Sequence, residues 1–121
     1  MGKYLIRETS TGTKFDLLAT NGQVIATSEV YSSLAATKNG IESVRNIAPT
    51  AKLEDQTTDP VESQTNPKFE MYKDKAGEFR FRLKARNGEI VVFSEGYTSK
   101  SNCLNGIESV RNNSDSDVTE E

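Results

Sequence analysis

Asn39-Gly40-Ile41-Glu42-Ser43-Val44-Arg45-Asn46 recurs letter for letter as Asn105-Gly106-Ile107-Glu108-Ser109-Val110-Arg111-Asn112, an offset of 66 residues. Working outward at that offset, Phe15 maps onto Phe81, Leu17 onto Leu83, Ala19 onto Ala85, Asn21-Gly22 onto Asn87-Gly88, Ser28-Glu29 onto Ser94-Glu95, Tyr31 onto Tyr97 and Ser33 onto Ser99. Further upstream the first copy is one residue short, and the match continues at an offset of 65 through Lys3-Tyr4 with Lys68-Phe69 and Gly12 with Gly77. Self-similarity at a fixed period marks a repeat architecture. The chain therefore divides into a first copy over 3–57, a linker over 58–66 with one apolar side chain and one Pro, a second copy over 67–113 and an acidic tail over 114–121.

Each copy has the same grammar. Phe69 and Met71, then Phe79, Phe81, Leu83 and Ala85, keep apolar residues at every second place, the pleat period of a half-buried strand. Asp74 to Gly77 supply a turn, and Asn87-Gly88 is a hairpin signal that suits a type I′ turn with positive φ at both residues. A third strand is expected over Glu89 to Ser94. A helix follows, N-capped by Thr98 or Ser99, with Cys103, Gly106, Ile107 and Val110 at i, i+3, i+4 and i+7, as Thr37, Gly40, Ile41 and Val44 are in the first copy. The apolar spacing runs straight through Asn39-Gly40, so the helix is expected to be continuous. Glycine there costs about 1 kcal/mol relative to alanine, and close approach of another backbone is the expected compensation. Pro49 lies beyond the first helix, and Ala51 to Gln56 reads as a short edge strand reaching across to the other copy. Its counterpart, Asp117 to Thr119, is a weaker strand candidate, and the acidic tail around it is expected to be solvated.

About 50 residues with one helix and three strands bury too little apolar surface to stand alone. The expected fold is α+β: two tandem βββα(β) repeats share one antiparallel sheet about a pseudo-twofold axis. Helices pack on one face, and the C-terminal strands are exchanged.

Composition bounds the chemistry. The chain has 121 residues, 34% apolar and 27% charged, with no Trp and a formal net charge of −3. The absence of His removes the commonest general base and a common zinc ligand. The single Cys103 excludes an internal disulfide, and on the buried stripe it is expected to be structural. Arg7 cuts the apolar run after Tyr4-Leu5-Ile6, so no signal-peptide core is expected there, and no run approaches the roughly 20 apolar residues of a membrane span. A cytoplasmic protein is the expectation, with no metal and no cofactor; Asp115, Asp117, Glu120 and Glu121 read as solubilising charge.

The second copy resembles the YegP-like family of small, mostly bacterial proteins in Phe69, Tyr72-Lys73-Asp74, Gly77, Arg80, Arg82-Leu83, Ala85, Asn87-Gly88, Ser94 to Tyr97, Ser99-Lys100, Cys103 and Asn105 to Val110. That resemblance implies an α+β fold in which two repeats or two subunits form one sheet with exchanged C-terminal strands. It brings no activity, cofactor or catalytic residue with it. The first copy departs from the pattern at Thr9-Ser10-Thr11 and at Asp16, which stands where Arg82 stands.

Two candidate surfaces follow. Arg80, Arg82, Lys84 and Arg86 alternate with apolar residues, so all four cations are expected on one strand face, where they could track phosphates. Residues 67–112 carry nine Lys and Arg against six Asp and Glu, whereas residues 1–66 carry six against eight. The opposing reading is a solvated face neutralised by cross-strand Glu70 or Glu89. Glu29 and Tyr31, with Glu95 and Tyr97, lie between the last strand and the helix, where loops carry function, and form a candidate ligand or partner surface. The plainer role for the tyrosines is to fill the space between helix and sheet.

Asn39, Glu42 and Asn46, with Asn105, Glu108 and Asn112, point away from the apolar stripe; either the two helices meet through them, which is the favoured expectation, or this face contacts a partner. Glu42 to Arg45 and Glu108 to Arg111 are i, i+3 pairs. The function expected is a non-enzymatic, monomeric binding or interaction module with a protein or small-molecule partner. The alternative is a weak nucleic-acid or polyanion binder using the basic strand.

Overall fold

The computed structural model describes residues 2–121. In chain order the elements are β1 (Lys3–Thr9), β2 (Gly12–Leu18), β3 (Val24–Thr27), α1 (Leu34–Ile47), β4 (Lys52–Asp55), β5 (Lys68–Lys73), β6 (Phe79–Lys84), β7 (Ile90–Phe93), α2 (Lys100–Asn113) and β8 (Asp117–Glu120). The chain is a mixed α+β protein with one eight-stranded sheet in the order β4-β5-β6-β7-β3-β2-β1-β8.

Alternation builds the strands. In β6, Phe81 and Leu83 are fully buried while Arg80, Arg82 and Lys84 between them stay half-exposed. The helix-facing side of the sheet collects Tyr4, Phe15, Leu17, Phe69, Met71, Phe81, Leu83 and Val92 into one core with Ile41, Val44, Ile107 and Val110 from the helices. α1 lies on β2 and β7, and α2 on β6, β3 and β2, so each helix packs on strands drawn from both copies. The sheet offers the wide apolar face, and of the outward polar positions Asn39 and Asn105 turn to the sheet's hairpins, while Glu42 and Glu108 hold Arg45 and Arg111.

Ser33 and Ser99 are the N-caps, accepting from the amides of Ala36 and Asn102. Both helices pass unbroken through their Asn-Gly pairs. What lies against Gly40 and Gly106 is a side chain rather than a backbone. A β-carbon at Gly106 would sit 2.5 Å from the Tyr97 hydroxyl and 3.0 Å from Phe81, and one at Gly40 would sit 2.6 Å from the Tyr31 hydroxyl and 3.1 Å from Phe15.

The hairpins also differ from expectation. Gly22 and Gly88 have φ of 85° and 84°, but no non-glycine residue has positive φ among the described residues. The Gly88 amide donates to Ala85 O, and the Ala85 amide pairs with Glu89 O, as Gly22, Ala19 and Gln23 do in the first copy. These are three-residue loops ending in a left-handed glycine, a common hairpin class, and not type I′ turns. The Asn21 and Asn87 carboxamide oxygens each accept from the amide two residues on. One consequence is that β6 ends at Lys84, so Arg86 leaves the strand and opens the loop.

The segments after the helices pair across copies. β4 runs parallel to β5, and β8 runs parallel to β1 with Val118 opposite Tyr4. Asp117–Glu120 is thus the weaker of the two exchanged strands, its backbone completing the β1 edge although all four residues are exposed, and because both exchanged strands run parallel to their partners the sheet is mixed rather than antiparallel throughout as expected. The two repeated arginines secure these crossings. Arg45 donates to Ser116 O at 2.6 Å and stands over the Tyr4 ring, while Arg111 donates to Ala48 O at 3.1 Å and stands over the Phe69 ring. Both also hold their i, i+3 glutamates.

Candidate binding grooves between helix and hairpin

The basic strand is neutralised on its own face. Arg82 binds Glu70 at 2.6 Å and covers the Tyr72 ring, Lys84 reaches Glu70 at 3.3 Å, and Lys68 reaches it at 3.2 Å. Arg80 binds Asp74 at 2.7 Å. Burial works to raise the Glu70 pKa, but hydrogen bonds from Arg82 and Lys68 overcome it and hold the carboxyl below its usual range. Beside it, hydrogen bonds from Lys68, Gln56 and the Gln64 amide bring Glu54 down to about 2. At the matching positions of the first copy this face carries Leu5, Asp16 and Leu18 in place of Glu70, Arg82 and Lys84. The open face of the sheet is therefore where the copies have diverged.

Of the second candidate surface, the glutamates serve through their backbones. Buried Ser28 and Ser94 donate to the carbonyls of Glu29 and Glu95 and accept from the amides of Phe15 and Phe81, bridging the ends of β3 and β7. The Glu29 and Glu95 side chains are exposed. Tyr31 and Tyr97 are held by paired backbone hydrogen bonds to Thr13 and Phe79. Burial raises both phenol pKa values, and neither hydroxyl hydrogen-bonds another of the described residues.

Each tyrosine lies at the end of a groove that the sequence did not disclose. One groove, about 220 Å³, runs between α1 and the β6–β7 hairpin: Tyr31, Ala36, Asn39, Gly40 and Ser43 face Ala85, Asn87, Glu89, Ile90 and Val91. The other, about 330 Å³, runs between α2 and the β2–β3 hairpin: Tyr97, Asn102, Asn105, Gly106 and Ser109 face Ala19, Asn21, Gln23, Val24 and Ile25. Taken in order, every residue of one is the 66-residue counterpart of a residue of the other. Tyr, Asn, Gly and Ser of the helix side and Ala and Asn of the hairpin side are identical in both. Asn39 and Ser43, with Asn105 and Ser109, of the repeated octamer thus line the two grooves, and the repeated arginine clamps the crossings. The signal was the letter-for-letter octamer; its meaning needed the hairpin of the opposite copy.

The model of a domain of unknown function, DUF1508, matches residues 10–55 and again 74–121. The chain belongs to the DUF1508 family. Among DUF1508 relatives, the UPF0339 protein YegP of Yersinia pestis is 37% identical over 114 residues, covering 93% of this chain and 88% of that one. A UPF0339 protein in the ptx operon 5' region of Stutzerimonas stutzeri is 64% identical over 50 residues, 41% of this chain and 45% of that protein. The solution NMR structure of yegP from E. coli, titled a protein of unknown function, superposes with a TM-score of 0.81 at 30% identity over 99% of this chain and 92% of that one. The DUF1508 matches cover both halves of the chain, each including a helix and its hairpin.

Proposed function

We propose that this chain is a non-enzymatic binding module, two repeats about a pseudo-twofold axis acting as a monomer, in which each helix–hairpin groove holds a small polar ligand. The observation that carries the reading is the one-for-one correspondence of the groove linings, set against divergence on the open sheet face. A fold needs its core and caps, and the two tyrosines pack on that core, but Asn39 and Ser43, like Asn105 and Ser109, line a solvent-facing cleft and take no part in it. Such groups donate and accept hydrogen bonds without changing protonation near neutral pH, which suits recognition rather than proton transfer. Burial pushes the Cys103 thiol up to about 11, which removes the chain's only sulfur nucleophile.

The test is a titration of the full chain with a panel of small polar compounds, followed by amide chemical shifts. A ligand is expected to move Asn39 and Asn105 together, and Asn39→Ala is expected to silence the α1 groove only. A panel that leaves both grooves unmoved counts against the proposal. The polyanion alternative has its own check: an oligonucleotide is expected to bind no better at 20 mM salt than at 200 mM, since Arg80, Arg82 and Lys84 already have carboxylate partners.

A further inference from the structure

The two grooves share a floor but not their ends. The α1 groove carries Glu89 where the α2 groove carries Gln23. It adjoins a cleft of about 460 Å³ lined by Ser43, Asn46, Ile47, Ala85, Arg86 and Asn87, so that Ser43, Ala85 and Asn87 are common to both. The 66-residue counterpart of Arg86 is Thr20. Arg86 thus lines the cleft toward Asn46 and Ile47, whereas Glu89 lines the groove that reaches back to Ala36. Among the described residues neither has an ion-pair partner, unlike the paired cations of β6.

Resting on the binding reading above, we infer that the α1 groove takes a short free peptide, its amino terminus toward Glu89 and its carboxylate toward Arg86. From Ala36 to Ile47 the helix rises roughly 16 Å, and an extended tetrapeptide spans roughly 13 Å. Asn39, Asn46 and Asn87 present carboxamides along that length, each able to give and receive a hydrogen bond as a peptide group does. A polyanion would meet Glu89, and a neutral sugar would leave both charges unused.

The probe is tetra-alanine with free termini, compared with N-acetyl tetra-alanine amide, titrated into the full chain at low salt and read by the shifts of Asn39, Ser43 and Asn87. Two exposed ion pairs should favour the free peptide roughly tenfold, and the preference should fade with salt. The double variant Glu89→Gln, Arg86→Thr copies the α2 groove and is expected to lose the preference; Gln23→Glu with Thr20→Arg is expected to confer it on the α2 groove. Equal binding of free and capped peptide at the α1 groove overturns the inference and leaves the twin-groove reading standing. A chain that takes other polar compounds in both grooves but neither peptide does the same. One that takes nothing in either groove overturns both.

Discussion

Gly106 shows how a single residue joins helix, core and groove. Alanine would favour the helix by about 1 kcal/mol, but its β-carbon meets the Tyr97 hydroxyl at 2.5 Å and the fully buried Phe81 ring at 3.0 Å. The phenol can swing into the groove; Phe81 cannot leave the core. Overpacking costs about 1–3 kcal/mol, so Gly106→Ala is expected to lower stability by about 1 kcal/mol in urea denaturation and to shift the Tyr97 ring signals. Tyr97→Ala in the same background is expected to recover part of the loss. A Gly106→Ala chain that melts higher than the parent would show that the ring does not hold that position. The glycine and its buried stripe were legible in the sequence through i, i+3, i+4 spacing. The tyrosine's place between helix and sheet was legible too; that its hydroxyl lands on Gly106 was not, because nothing in local spacing says which way a loop side chain turns.

Among elements, β4 to β6 are joined on their open face by charge. Glu54 is brought to about 2, while Glu70, Asp55 and Asp74 are also lowered, in each case with hydrogen bonds from a cation. Carboxylates with depressed folded pKa values stabilise the fold above their ordinary values and lose that contribution as pH falls through the folded ones. Stability is expected to drop between about pH 4.5 and 2, and Glu54→Gln to melt lower at pH 7 with a shallower fall in acid; an unchanged acid slope would remove Glu54 from the account. β8 is sustained differently. Asp117–Glu120 has one apolar residue and no alternation, which is why the sequence marks it only as a weak strand candidate; its partner is β1, more than 100 residues earlier. Removing residues 117–121 is expected to bare the β1 edge and produce concentration-dependent association in light scattering.

At the scale of the whole molecule, the repeat and its βββα content could be read because each copy's strands and helix are written in local periodicity. The grooves could not, since each belongs to a helix from one copy and a hairpin from the other. That same crossing makes the halves interdependent. β4 completes the β5 edge and β8 the β1 edge, while β3 meets β7 at Thr27 and Phe93. Arg111 holds the end of α1, and Arg45 holds the approach to β8. The segment 58–66 carries the covalent link and, near its end, the Gln64 amide that donates to Glu54. A protease site placed there and cut in the folded protein is therefore expected to leave the halves together on gel filtration. The cut complex should melt at a temperature that rises with protein concentration, because folding has become bimolecular. Each purified half is expected to lack a cooperative transition as a monomer. A half that melts cooperatively and stays monomeric would mean that one copy can close its own core, and the shared sheet would lose its role as the reason both grooves exist.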